Sequence, residues 1–267
     1  LHTGFCPVCY RKNCVLCLNC KDLGESRQCQ GLYIILPAND PPEQKANFYL
    51  QPNISPLTPA QKTVSEELIN WYEQNVFAEL LLWAVCGAGK TEIIYPLLAK
   101  IIREGKQVLL TSPRKEVINE LDARLEAAFP GLPRAFLSGE KRRYLKEAGL
   151  LLATTHQMIR FYKKFDIIFI DEEDAFPYYN NRMLREAVKR SLKDGGKMVY
   201  LTATPHRELW ERVKNNELAL LVLLERYHGE ALPEPVLIAL GPGWGERQGW
   251  IQRQLNSYLL PAIREKR

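Results

Sequence analysis

From Leu57 onward, short apolar runs alternate with longer amphipathic ones. The short runs are ELLLWAV (79–85), QVLLTS (107–112), RAFL (134–137), LLLATT (150–155), DIIFID (166–171) and KMVYLTAT (197–204), with a weaker LALLVLL at 218–224. Their apolar character is continuous rather than alternating, which marks strands buried on both faces, as in a parallel sheet covered by helices. Between them lie helical patterns. The first, 58–75, opens with Thr58 as a candidate cap and Pro59 at the first helical position. Strand–helix alternation of this length predicts an α/β open parallel sheet flanked by helices, with ligands at the carboxyl ends of the strands.

The flanks read differently. Residues 1–30 lack apolar periodicity, and 31–56 carry a brief apolar run (LYIIL) followed by Pro37, Pro41, Pro42, Pro52 and Pro56. Proline suits neither helix interiors nor central strands, so 31–56 is expected to be a linker. After His228 the chain is rich in proline and glycine and closes on one amphipathic run, WIQRQLNSYLLPAIREKR. The expected organisation is a small module over 1–30, a linker over 31–56, a nucleotide-binding lobe over 57–230, and a linker or the start of a further lobe over 231–267.

Composition narrows the class. The 267 residues are 46% hydrophobic and 25% charged, ordinary for a globular protein, and no run is long enough to span a membrane. No signal peptide is visible, and an opening Leu1 suggests trimming from a longer parent. The net charge of +5 permits a polyanionic partner without requiring one, and Lys141-Arg142-Arg143 and Lys163-Lys164 read as solvated faces. Of seven cysteines, six lie within residues 6–29. Without a secretion signal, that crowding reads as metal ligation in a reducing cytosol rather than a disulfide scaffold.

The stretch AVCGAGKT carries the chemistry. A phosphate cradle needs a buried strand, a tight turn with inward amides and a helix N-terminus. Gly87 and Gly89 let the backbone approach the phosphates, with Ala88 between them. Lys90 would reach the β- and γ-phosphates of ATP, and Thr91 would bind Mg2+. Ala84 replaces the usual first glycine at the strand end, where a small residue suffices, and Cys86 reads as a small buried hydrophobe. FDIIFIDEED supplies the acidic half of the site: Asp171 would hold the magnesium shell and Glu172 would polarise the attacking water.

AVCGAGKT, TSPR (111–114), TTHQ (154–157), DEED (171–174) and TATP (202–205) occur in the order and spacing of superfamily 2 helicase motifs. That resemblance implies a RecA-like lobe. It also implies an adenine-reading role for Gln61, coupling of the magnesium site to lobe closure by Thr202 and Thr204, and nucleic acid contacts by Pro113, Arg114, Thr155 and His156. LWAVCGAGKTE, LLATTHQMIRF, DEEDAFPY and RYHGEALPEPV narrow the resemblance to the ComFA-type competence ATPases, from about Cys6 to Pro235. Such proteins drive incoming single-stranded DNA into the cytoplasm with ATP. The resemblance implies a cytoplasmic location at the inner face of the membrane. Implied partners are a membrane DNA channel, a phosphoribosyltransferase-like competence protein and further copies of the chain.

The family also carries a four-cysteine zinc module before its motor. Cys6-Pro7-Val8-Cys9 and Cys17-Leu18-Asn19-Cys20 are two knuckles able to wrap one tetrahedral zinc, Zn2+. Cys20-Lys21-Asp22-Leu23-Gly24 resembles the family's second knuckle, which favours Cys6, Cys9, Cys17 and Cys20. Cys14 and Cys29 are extra, and Cys14 is also two residues from Cys17, so the third ligand stays open.

No second RecA-like lobe follows Leu240, which reads as a fragment or a loss. The chain by itself is therefore expected to bind ATP but turn it over weakly. The alternatives are a PriA-type replication-restart helicase, against which the position of the cysteines speaks, and a nucleotide-dependent binding module without useful turnover.

Overall fold

In the computed structural model, the described residues are 2–18, 26–30, 53, 55–74, 76–139, 141–143 and 148–229. The apolar run at 32–36, nearly all of the expected linker and everything from 230 onward lie outside them.

Residues His2–Gly4 (β1) and Cys14–Leu16 (β2) pair antiparallel in a two-stranded ribbon. The first helix, α1, spans Pro59–Glu73. It starts where the sequence predicts: the Gln61 N–H donates to the Thr58 hydroxyl at 3.2 Å, and the Thr58 N–H donates to Gln61 Oε1 at 2.9 Å. This reciprocal pair satisfies two donors that a helix start otherwise leaves open.

The main sheet follows. In chain order its elements are β3 (Glu79–Ala84), α2 (Lys90–Arg103), β4 (Val108–Ser112), α3 (Lys115–Ala128), β5 (Arg134–Ser138), β6 (Lys141–Arg143) and β7 (Leu150–Thr154). A 3₁₀ turn at Thr155–Arg160 leads to β8 (Phe165–Asp171), α4 (Arg182–Ser191), β9 (Leu192–Thr202), α5 (Arg207–Lys214) and β10 (Ala219–Leu223). The strand order is β10-β3-β9-β8-β4-β7-β5-β6, parallel except for β6, which runs antiparallel to β5. All seven apolar runs form strands, and the sheet is the expected RecA-like open parallel sheet.

Burial on both faces explains why those runs are continuous. Leu80, Leu82, Leu110, Leu152 and Phe169 pack under α1, α2 and α3, while Leu81, Leu109, Ile168, Ile170 and Met198 pack with α4 and α5. Polar side chains gather instead at the carboxyl ends of β3, β4, β7, β8 and β9. Register fixes their relative heights. Trp83 stands opposite Thr202, Asp171 opposite Leu201, and Ser112 opposite Thr154. Near the start of β9 the pairing slips: Phe165 faces Leu192 but Ile167 faces Lys197, so a short irregular stretch containing Gly195 (φ +74°) intervenes.

One buried charge ties α1 to this sheet. Lys197, on β9, is 8% exposed and donates to the carbonyls of Trp71, Gln74 and Phe77 at 3.2, 2.6 and 3.3 Å. Its ammonium also lies 4.7 Å from the centre of the Trp71 ring. Burial holds its pKa below the usual lysine value. The last carbonyls of a helix lack partners within it, and here one cation serves two of them, Trp71 and Gln74, together with that of Phe77 in the segment that follows. Replacing Lys197 with methionine keeps the length but leaves buried acceptors unpaired. It is expected to cost about 2–3 kcal/mol in urea unfolding. An unchanged midpoint would show that these carbonyls have another donor.

Candidate functional site

The strand β3 delivers the loop Val85–Gly89 to the N-terminus of α2. Gly87 and Gly89 have φ of +78° and +77°, the left-handed region in which a side chain is strained. At Gly89 there is no room either, because a Cβ would stand 2.5 Å from Gln61 Nε2. Ala84 is fully buried as the last residue of β3, and its carbonyl accepts from Lys90 Nζ at 3.3 Å. The small residue at that position is thus compatible with the turn. Cys86 departs from expectation. It is exposed, because the turn carries it outward, and Ala88 is the loop residue that enters the core.

Beyond the loop lies a chamber of about 490 Å³, whose lining includes Lys90, Thr91, Arg114, Arg124, Asp171 and Glu172. The expected phosphate, metal and water residues therefore converge on one space. Burial raises the Asp171 pKa to about 6; Lys90 opposes that shift and Glu172 adds to it. A divalent cation beside Asp171 would offset the cost of burying its charge. Glu172 sits at φ +53°, unusual for a residue with a Cβ, and its N–H donates to the carbonyl of Leu201 at 3.1 Å. Its carboxylate faces Arg114, 3.4 Å away. Thr91 accepts from Arg124 Nη1 at 3.1 Å. Thr91 and Asp171 are the residues that could hold Mg2+.

The motif at the end of β9 joins this chamber through Asp174. Thr202 donates to one oxygen of Asp174 at 2.7 Å and Thr204 to the other at 2.5 Å. Burial works against the Asp174 charge, but the two hydroxyls hold its pKa below the ordinary value. Trp83 Nε1 donates to the Ala203 carbonyl at 3.0 Å, so the phosphate-loop strand also supports this turn. Glu173, 2% exposed, meets His206 Nδ1 at 2.6 Å. Asp174, Glu173, His206 and Arg124 have no role in the sequence reading. The acidic run DEED signals the first two, but nothing in sequence spacing points to His206 or Arg124.

The four residues expected to face nucleic acid divide. The loops after β4 and β7 are neighbours, because Ser112 pairs with Thr154. Arg114 is exposed and His156 is half-buried. Pro113 and Thr155 are buried, since each lies at the junction of a core strand and the element that follows it. Among the described residues the Thr155 hydroxyl has no hydrogen-bond partner. Gln61 is 1% exposed; its amide donates to the Ala88 carbonyl at 2.8 Å, and its oxygen serves the Thr58 cap.

In the N-terminal ribbon, the sulfurs of Cys6, Cys9, Cys14 and Cys29 lie within 4.8 Å of one another. A tetrahedron with metal–sulfur bonds of about 2.3 Å has edges near ~3.8 Å, and Cys6 Sγ and Cys29 Sγ are 3.7 Å apart. The group fits a zinc ion. Backbone N–H donation from Cys9 lowers the Cys6 pKa to about 6, while burial and the neighbouring cysteines push the Cys29 thiol up to about 12, so the geometry, not the titration, carries the fit. Among the described residues the cluster holds Cys14 and Cys29, where sequence spacing favours Cys17 and Cys20. Pairing of β1 with β2 brings Cys14 back over the Cys6–Cys9 turn, an effect that spacing cannot reveal. Cys20 lies outside the described residues. Purified protein is expected to hold one zinc, and Cys14→Ser and Cys29→Ser should each lower the metal content. Full metal in both variants would return the choice to Cys17 and Cys20.

Competence protein ComFA of Streptococcus pneumoniae is 41% identical over 226 residues, 84% of this chain and 50% of that protein. Competence protein ComFA of Bacillus subtilis is 37% identical over 186 residues, 70% of this chain and 39% of that protein. Replication restart protein PriA of Bacillus subtilis is 25% identical over 197 residues, 68% of this chain and 24% of that protein. The chain thus spans half or less of the length of these relatives. The resemblance to ComFA proteins is a sequence similarity over most of the chain. The model of the family described as Type III restriction enzyme, res subunit, matches residues 54–207. That span is more than half of the chain, and the chain belongs to this family.

Proposed function

We propose that the chain hydrolyses ATP as one lobe of a superfamily 2 type motor that moves single-stranded DNA during natural competence. The observation that carries the proposal is the convergence of Lys90, Thr91, Asp171 and Glu172 on one chamber, with the Asp174-bound threonines on its wall. In this reading Lys90 exchanges the Ala84 carbonyl for phosphate oxygens, and the loop amides and α2 N-terminus favour the same negative charge. Mg2+, held through Thr91 and Asp171, would neutralise charge that develops on the transferred phosphoryl group. Glu172 would orient the water. Thr202 and Thr204, both tied to Asp174, would carry the state of the chamber to the outer face of the lobe.

Arg114 and His156 stand at adjacent strand ends, where an extended strand's phosphates would meet a cation and backbone amides rather than base-reading side chains. Among the described residues no helix is long and apolar enough to cross a membrane. The proposed partners are a membrane DNA channel and a phosphoribosyltransferase-like competence protein, through which the chain would stand at the inner face of the membrane. The similarity to ComFA proteins supports this choice over PriA-type replication restart. One observation favours the reading as a binding module without turnover: Arg114 Nη1 stands 3.4 Å from Glu172 Oε2 as an ion pair, without a hydrogen bond. That contact would have to open before Glu172 could act.

Two measurements test the proposal. Phosphate release should require ATP and rise on addition of single-stranded DNA. Glu172→Gln should reduce it by about 10² or more while ATP still binds, and Lys90→Ala should weaken both. Bound but unhydrolysed ATP in the wild type, with and without DNA, would favour the binding module. In a fluorescence titration, single strands should bind better than duplex. Arg114→Ala should weaken that binding and reduce the salt slope by about 0.7, as expected for one lost phosphate contact. A slope unchanged in the variant would remove Arg114 from the DNA track.

A further inference from the structure

A second cavity of about 440 Å³ lies on the other side of the phosphate loop, within the range of about 300–1,000 Å³ usual for small-molecule sites. It shares Gly87, Gly89 and Arg124 with the phosphate chamber, so a nucleotide's triphosphate and its base could occupy the two at once. Its walls include Gln61, Tyr95, Tyr227 and His228. Two of these point to a ligand. Tyr95 is 1% exposed, and its hydroxyl is buried with no hydrogen-bond partner among the described residues. Burial keeps that hydroxyl protonated. Tyr227, by contrast, is a large aromatic left 49% exposed.

The placement of Tyr227 is set by backbone, not by its ring. After β10 the chain turns over the phosphate loop. The Tyr227 N–H donates to the Gly87 carbonyl at 2.9 Å, and the turn closes with Gly229 N–H on the Arg226 carbonyl at 2.9 Å. Arg226 Nε adds a longer contact to the Cys86 carbonyl at 3.4 Å. The ring itself is therefore available to a ligand. Gln61, the residue expected to read the base, has its amide engaged at both ends by the chain.

We propose that Tyr227 and His228 form the outer wall of a nucleobase chamber, stacking on the base, while the Tyr95 hydroxyl supplies a hydrogen bond from its floor. Gln61 acts on this chamber as a positioning residue that holds the loop. The proposal rests on the nucleotide reading above and assigns the residues that recognise the base.

The test compares ATP with inorganic tripolyphosphate, which has the phosphates but no base, by calorimetry on the full 267-residue chain. Tyr227→Ala should weaken ATP roughly 5- to 150-fold, the range for a lost base–aromatic stack, and leave tripolyphosphate affinity unchanged. Tyr227→Phe should retain ATP affinity. Tyr95→Phe should weaken ATP several-fold, again sparing tripolyphosphate, without lowering the melting temperature. Equal losses for both ligands in Tyr227→Ala would mean that the turn acts through the phosphate loop, and would overturn the proposal. Unchanged ATP affinity would overturn it too. Failure of the wild type to bind either ligand would remove the nucleotide reading itself, whereas tripolyphosphate binding equal to that of ATP would remove only the base chamber.

Discussion

A parallel sheet enclosed by helices on both faces has no solvated side on which to keep polar residues. In this chain that constraint organises the rest. Strand interiors are given over to leucine, isoleucine, valine and phenylalanine, and the side chains that carry chemistry sit where the strands run out. Because β3, β9 and β8 are neighbours in register, the carboxyl end of the sheet presents a lysine, three carboxylates and three threonines to a common chamber. Burial then sets their chemistry. It raises the proton affinity of Asp171, and a cation is the natural relief.

The constraint also explains what the sequence reveals. Continuous apolar runs mark every strand of the sheet that packs on both faces, and the glycines at 87 and 89 mark a turn that no other residue could make without strain. What escapes is whatever depends on pairing between distant segments. The cysteine set turns on the β1–β2 ribbon, which brings Cys14 toward Cys6, and sequence spacing favours a different pair. Cys86 looks like a core residue by its type and neighbours, yet the turn points it outward. Arg124 meets Thr91 from a separate helix, and Tyr227 reaches Gly87 from the far end of the lobe. Pro113 and Thr155 occupy motif positions but are buried.

Gln61 shows how one side chain can serve two levels of structure. Its backbone and amide complete the cap that starts α1, and the same amide holds the phosphate loop through Ala88. The first helix and the loop are therefore positioned by a single residue, and the absent Cβ at Gly89 is what leaves it room. At the other end of α1, Lys197 performs the matching task for the carbonyls. The helix is thus anchored at both termini by side chains rather than by its apolar face alone.

The irregular pairing near the start of β9 divides that strand into two parts with different tolerance for changes in chain length. Up to Gly196 the backbone is already out of step with β8, so a residue added or removed there can be absorbed locally. From Lys197 to Thr202 the pairing is regular, and side chains alternate between the two cores. A single insertion in that part would turn each later residue to the opposite face. Thr202 would leave Asp174, and Val199 and Leu201 would trade places with Met198 and Tyr200 between the two cores. Among homologous chains, length variation in this strand should therefore be confined to residues before Lys197.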